Sequence, residues 1–123
     1  MVRTTRDVVL DHLRRRMRGD LEGDLRENYH PAVRLLSAEG VHHGHDGVRH
    51  LAAILRTYVQ DGDYQYRQVL VDGDVGMLVW SGRCSAGDIA LHDGVDTYVV
   101  RSGLLVAQTI HYSSGTIVDH PDA

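Results

Sequence analysis

Lysine is absent: all thirteen basic side chains of the 123-residue chain are arginine. That removes Schiff-base lysine chemistry and the phosphate-cradling loop whose lysine reaches the β- and γ-phosphates. Cysteine is nearly absent too. Cys84 stands alone, so no intramolecular disulfide can form, which suits a reducing compartment. With no activating motif beside it, Cys84 reads as a small buried apolar group. No apolar run approaches the roughly eighteen residues of a membrane span, and the N-terminal region lacks the continuous apolar core of a secretory signal. The expected location is the cytoplasm, with no membrane partner. Seventeen acidic residues against thirteen basic give a formal charge of −4, which argues against a nucleic-acid backbone as the main partner. A local basic run, Arg14-Arg15-Arg16 with Arg18, reads as a solvated helix face or as an attractor for an anion.

What is present is an ordinary globular composition, 42% hydrophobic and 24% charged, of a length that fits one domain over residues 1–123 with its own core. Thr4-Thr5-Arg6-Asp7 offers a capping box, and Val9, Leu13 and Met17 then recur at helical spacing up to Gly19. Asp20 caps a second short helix carrying Leu21 and Leu25, which ends before Tyr29-His30-Pro31. Residues 32–37 read as a strand, and Glu39-Gly40 as a turn. Asp46 reads as the N-cap of a third helix that presents Val48, Leu51, Ala52, Leu55 and Tyr58 on one side and runs to about Gln60. Strand patterns follow over 64–71, 75–84, 89–92, 95–101 and 104–113, punctuated by Asp72-Gly73-Asp74, Ser85-Ala86-Gly87-Asp88, Asp93-Gly94 and Ser102-Gly103. Helices first and hairpin-linked strands later is the order of an α+β domain with helices on one face of an antiparallel sheet.

The stretch His42-His43-Gly44-His45-Asp46-Gly47-Val48-Arg49-His50 places four histidines in nine residues. A metal needs three or four ligands converging on one point, whereas a strand sends neighbouring side chains to opposite faces. His42 and His43 diverge on that argument, and Asp46 with His50, about one helical turn apart, supplies two ligands only. The expectation is a solvated strand-turn-helix junction with no metal.

Gly19-Asp20-Leu21-Glu22, Tyr29, Gly44-His45-Asp46-Gly47 before a helix, and the segment from Gly94-Val95-Asp96 to Gly103-Leu104-Leu105-Val106 together resemble the nuclear transport factor two-like superfamily, in particular its SnoaL-like branch. The resemblance spans nearly the whole chain and rests on the order of the motifs. It implies a cone: a strongly curved antiparallel sheet wrapped around three N-terminal helices, with a mostly apolar pocket at the wide end and a tendency to homodimerise. Members include ketosteroid isomerases, polyketide cyclases, limonene epoxide hydrolases and proteins with no known reaction, so fold alone does not fix function.

The resemblance aligns Asp96 with the sheet aspartate that serves as acid/base or oxyanion donor in such enzymes. A carboxyl on the concave apolar side of a sheet is also expected, on physical grounds, to have a raised pKa; the other use of Asp96 is to anchor the Asp93-Gly94 turn. Aligning Leu104-Leu105-Val106 with the family pattern puts Thr109 and His111 toward the pocket beside Asp96 and Tyr98, making Asp96/His111 the expected catalytic pair. A register one residue different turns His111 outward. Trp80, Tyr29, Tyr58 and Leu36 are expected to wall the pocket or to pack the core. The isomerase base falls at about Leu36 or Ser37, and its oxyanion tyrosine near His12. Neither position holds the isomerase residue, so classical ketosteroid isomerisation is not expected unless His12 or His111 has taken over. The epoxide-hydrolase Asp-Arg-Asp set is not assembled by the sequence; Arg83 and Asp96 are two candidates for it. The expected function is a cofactor-independent isomerase, cyclase or dehydratase acting on a small apolar carbonyl compound. The alternative is a non-catalytic domain that binds a hydrophobic ligand or dimerises.

Overall fold

The computed structural model describes residues 2–83 and 89–116. Cys84 and the Ser85-Ala86-Gly87-Asp88 turn lie outside the described residues.

Three helices and six strands follow one another in the order α1 (Thr5–Met17), α2 (Leu21–Asn28), β1 (Tyr29–Ser37), β2 (Gly40–His43), α3 (Gly44–Arg56), β3 (Tyr64–Asp72), β4 (Val75–Arg83), β5 (Ile89–Arg101) and β6 (Leu104–Thr116). Local chemistry sets the helix starts. The Thr4 hydroxyl accepts from the Asp7 N–H at 3.1 Å while the Asp7 carboxylate accepts from the Thr4 N–H at 3.1 Å, a reciprocal box that satisfies two orphan donors. Asp20 accepts from the Gly23 N–H at 3.0 Å and starts α2. Between them Gly19 takes φ +76°, a left-handed conformation that costs glycine little.

The strands form one open sheet in the order β2-β1-β6-β5-β4-β3, antiparallel throughout except for the parallel seam between β1 and β6. Helix α1 lies against β3, β4 and β5, and α3 against β1 and β2, so both cover the same face. Their apolar stripes meet the sheet in a single core built on Val8, Val9, Leu13, Val48 and Leu51 from the helices and Val33, Leu35, Leu78, Leu91, Tyr98 and Leu105 from the strands. The architecture is the expected α+β cone. The sheet is curved without closing.

Three local expectations are corrected. β1 starts at Tyr29 and includes Pro31, which has no N–H to give a ladder and falls where the β1/β6 register shifts between Tyr29 and Arg34. The strand leading into the histidine junction is the short edge strand β2, residues 40–43, which pairs antiparallel with β1 after the Glu39-Gly40 turn. Helix α3 begins two residues before Asp46 and ends at Arg56, leaving Tyr58 beyond it. Most importantly for the site, Asp93-Gly94 is not a hairpin turn. β5 runs straight through it as a bulge, with Asp93 at φ +56° and the register shifting between His92 and Val95.

Candidate active site

The concave face holds a half-open, mostly apolar cavity of about 80 Å³. Leu35, Leu51, Leu55, Leu78 and Ile110 form its hydrocarbon wall, and His12, Arg16, Trp80, Asp96 and Gln108 bring polar atoms into it. An apolar chamber with a few convergent polar groups is the usual form of a small-molecule site.

Asp96 is buried on β5 and held by three donors. Trp80 Nε1–H donates to Oδ1 at 2.9 Å, while Gln108 Nε2–H at 3.1 Å and the Tyr98 hydroxyl at 3.3 Å donate to Oδ2. The Gln108 amide is itself oriented, because its Oε1 accepts from the Tyr29 hydroxyl. Burial pushes the Asp96 carboxyl above its ordinary value, and this outweighs the three donors and the nearby His12 ring, which favour the anion. Trp80 can lie there because its β5 partner is Gly94. A Cβ on Gly94 would fall 2.4 Å from the indole ring.

A second carboxyl works through a histidine. His12 on α1 and Asp24 on α2 are both buried, with Nδ1 of the imidazole 2.7 Å from Asp24 Oδ2. Asp24 Oδ1 accepts from Asn28 Nδ2 at 2.8 Å, and Arg16 Nη1 stands 3.5 Å from Oδ2. Burial alone would raise the Asp24 carboxyl; the His12 ring, Arg16 and Asn28 reverse that and hold it low. An ionised Asp24 can only accept, so His12 presents an Nδ1–H to it and Nε2 is the ring nitrogen that Asp24 does not engage. The ring lines the cavity and packs edge-on against Tyr98 at 5.3 Å and Tyr29 at 5.7 Å between centroids. Tyr98 thus touches both polar groups, His12 through its ring and Asp96 through its hydroxyl.

The match to known proteins follows the same elements. Residues 9–108 match the family model of the SnoaL-like domain. The chain belongs to the SnoaL-like family. No curated protein matches it. Among solved structures it is similar to an NTF2-like protein from Cytophaga hutchinsonii, with 14% identity, 89% of this chain and 90% of that one covered, and a TM-score of 0.68. It is similar to a Sinorhizobium meliloti protein named a polyketide cyclase, with 16% identity, coverage of 85% and 93%, and a TM-score of 0.64. A third similar structure is TerC co-crystallised with polyporic acid, with 20% identity, coverage of 89% and 91%, and a TM-score of 0.68. Identities this low carry the fold and nothing finer.

Within this SnoaL-like domain the expected site residues separate into two groups. His12, Tyr29, Trp80, Asp96 and Tyr98 all line the cavity. His111, Thr109 and Leu36 do not. His111 and Thr109 are exposed on the outer face of β6, and Leu36 is 51% exposed on β1, whose inward residues are Val33 and Leu35. Tyr58 packs against Tyr112, with ring centroids 6.4 Å apart, and is not part of the cavity wall.

The cause of the β6 error is one residue. Val99 pairs with Ala107 but Val100 pairs with Leu105, so Val106 is an extra residue in β6. Counting inward from Leu105 without that bulge gives 107, 109 and 111; the bulge flips the phase and turns Gln108 and Ile110 inward. The Asp96/His111 pair is therefore not assembled: Asp96 is opposite Ile110, and His111 opposite Val95. The residues missed, Asp24 and Gln108, are both buried. Asp24 and Asn28 occupy apolar positions of α2 beside Leu21 and Leu25, and that misplaced polarity was the available signal.

The histidine stretch disperses. His42 and His50 lie with ring centroids 5.2 Å apart and their planes tilted by 38°, His45 Nε2 bonds the Tyr29 carbonyl at 3.0 Å, and His43 is exposed. Among the described residues no group of three or more His, Cys, Asp or Glu side chains is arranged to hold a metal ion. No helix among them is long and apolar enough to cross a membrane.

Proposed function

We propose that this SnoaL-like domain is a cofactor-independent enzyme that moves a proton next to the carbonyl of a small, largely apolar compound, with isomerisation, cyclisation or dehydration as the outcome. The observation carrying this reading is the placing of two unlike proton-handling groups on one apolar cavity: a carboxyl favoured in its neutral form, Asp96, and an imidazole oriented by a buried carboxylate, His12.

His12 takes the role expected of His111. In the neutral form of the ring, Nε2 removes a proton from the carbon beside the carbonyl, and the imidazolium that forms is stabilised by Asp24. Asp96 Oδ1 accepts only from Trp80, so its second lone-pair position is available to carry the proton that Asp96 donates toward the carbonyl oxygen as charge develops there. The proton on His12 then returns to a different carbon in an isomerisation, or to a departing hydroxyl in a dehydration.

The test is deuterium exchange. Cyclohexanone and phenylacetone are incubated with the protein in heavy water and their α-protons followed by NMR. The expected result is exchange faster than in buffer, reduced ~10²-fold or more in Asp96→Asn and in His12→Gln. Exchange at the buffer rate with both ketones overturns the reading. The second reading, a non-catalytic ligand-binding domain, draws on the three donors that saturate most of Asp96; it predicts bound ketone without exchange.

A further inference from the structure

The cavity contains a charge that proton transfer does not use. Arg16, in the last turn of α1, lines the chamber, and three-quarters of its side-chain surface is covered. A guanidinium has five N–H donors and cannot shed its charge. Here it meets Asp24 Oδ2 at 3.5 Å, the outer limit of hydrogen bonding, and its other neighbours are the Tyr29 and Tyr64 hydroxyls. Asp24 is already committed to His12 at 2.7 Å and to Asn28 at 2.8 Å. The remaining arginines of the same basic run are used differently: Arg14 and Arg15 pair with Asp11, and Arg15 and Arg18 with Asp20, outside the chamber. Arg56, which also lines the cavity, is paired with Asp61 at 3.1 Å. Arg16 is thus the cavity cation with donors left over in an apolar setting, where an unspent charged donor is most costly and most rewarded by a matching anion.

We infer that the natural ligand of this cavity is a small apolar carboxylate, whose acid group docks on Arg16 while its hydrocarbon part lies against the Leu35, Leu51 and Leu78 wall. This rests on the cavity being the ligand site and, for its second role, on the proton-transfer reading: the substrate is then a carbonyl compound that also bears a carboxylate. Arg is suited to the task because its planar fork engages both carboxylate oxygens at once. The anion also has a consequence for His12, since a negative charge beside Arg16 and His12 favours the imidazolium once the proton has moved.

The experiment compares benzoate with benzamide, which share a shape and differ in charge, by NMR titration of ¹⁵N-labelled protein. Benzoate is expected to bind at least ~10-fold more tightly, a difference of about 1.4 kcal/mol, and to move the Arg16 Nε–H resonance. Arg16→Gln is expected to bring the two ligands to equal affinity. Equal affinities in the wild type, or a benzoate preference that survives Arg16→Gln, overturn the inference. Should Arg16→Gln fail to fold, the wild-type resonances decide: benzoate shifts at Arg14, Arg15 or Arg18 instead of Arg16 place the anion on the outer basic face and overturn it. Failure here is distinct from failure of the catalytic reading. Ketone exchange without benzoate preference removes the acid site alone, and benzoate preference without exchange removes the chemistry alone.

Discussion

His12 Nδ1 and Asp24 Oδ2 lie 2.7 Å apart at the buried junction of α1 and α2, and this pair links the packing of the helices to the chemistry of the cavity. Asp24→Asn removes the charge that His12 and Arg16 are arranged around. Breaking a buried ion pair from one side costs about 3–5 kcal/mol, so urea denaturation at pH 7 should show a loss of that size. Any α-proton exchange should fall with it, because His12 loses the acceptor that fixes its tautomer.

Acid should weaken the same junction through Asp11. Burial acts to raise this carboxyl, but Arg15, Asn28 and Arg14 hold it down at about 2 against an ordinary 3.8. The sign follows from linkage: a depressed carboxyl contributes its stability in full above its unfolded value and loses it as pH falls through the folded one. The contribution is about 2 kcal/mol, present above about pH 4 and mostly gone by pH 2. The difference in unfolding free energy between wild type and Asp11→Asn should shrink by that amount between pH 7 and pH 2.

Asp96 has the opposite sign. Its raised pKa makes the folded state hold the proton more tightly, so the associated stability is complete below the unfolded value of about 4 and declines as pH rises through the folded one. Relative to Asp96→Asn, the wild type should be most favoured at low pH. Trp80, the single tryptophan, donates to this carboxyl. Its fluorescence should therefore titrate with a midpoint above 3.8, and the transition should vanish in Asp96→Asn.

Gly94→Ala should displace the indole. The added methyl would sit 2.4 Å from the ring carbons of Trp80, and forcing bulk into a packed site costs about 1–3 kcal/mol. A lowered melting temperature together with a red-shifted tryptophan emission is the expected result. An unchanged emission would mean that the ring does not rest on Gly94.

His111→Gln, by contrast, should leave both stability and exchange nearly untouched. The side chain is exposed on the outer face of β6, where substitutions usually change stability by less than about 0.5 kcal/mol. A large loss of exchange would restore His111 to the site and remove His12 from it.

These residues also mark where the sequence is legible. Thr4, Asp7 and Asp20 announce α1 and α2 because capping is local, and the residues that make the bond are three positions apart. Asp96 was legible through the family resemblance, which aligned it with a pocket-facing sheet aspartate; the cost of burying a carboxylate would by itself have turned it to solvent. Val106 and Asp93-Gly94 were not, since a bulge leaves the composition of a strand unaltered while reversing the side to which all later residues point. The His12/Asp24 pair needed two helices to be placed against each other. Twelve residues separate the two groups, and no periodicity within one element connects them.

The parallel seam between β1 and β6 has a consequence for how the chain acquires its structure. It joins Leu36 to Thr109 and Ser37 to Ile110, so the first and last strands are neighbours and everything between them must be looped out before they meet. Such long-range closure is slow compared with helix or hairpin formation. During synthesis the residues of α1 and α2 emerge before the strand that supplies Gln108 and Ile110, and helices of 13 and 8 residues are marginal until they have a sheet to pack on. The hairpin with β5 already sets Gln108 and Ile110 beside Asp96, and closing the seam adds the Leu35 wall opposite Gln108, so the expected order is helices and hairpins first and the complete cavity last.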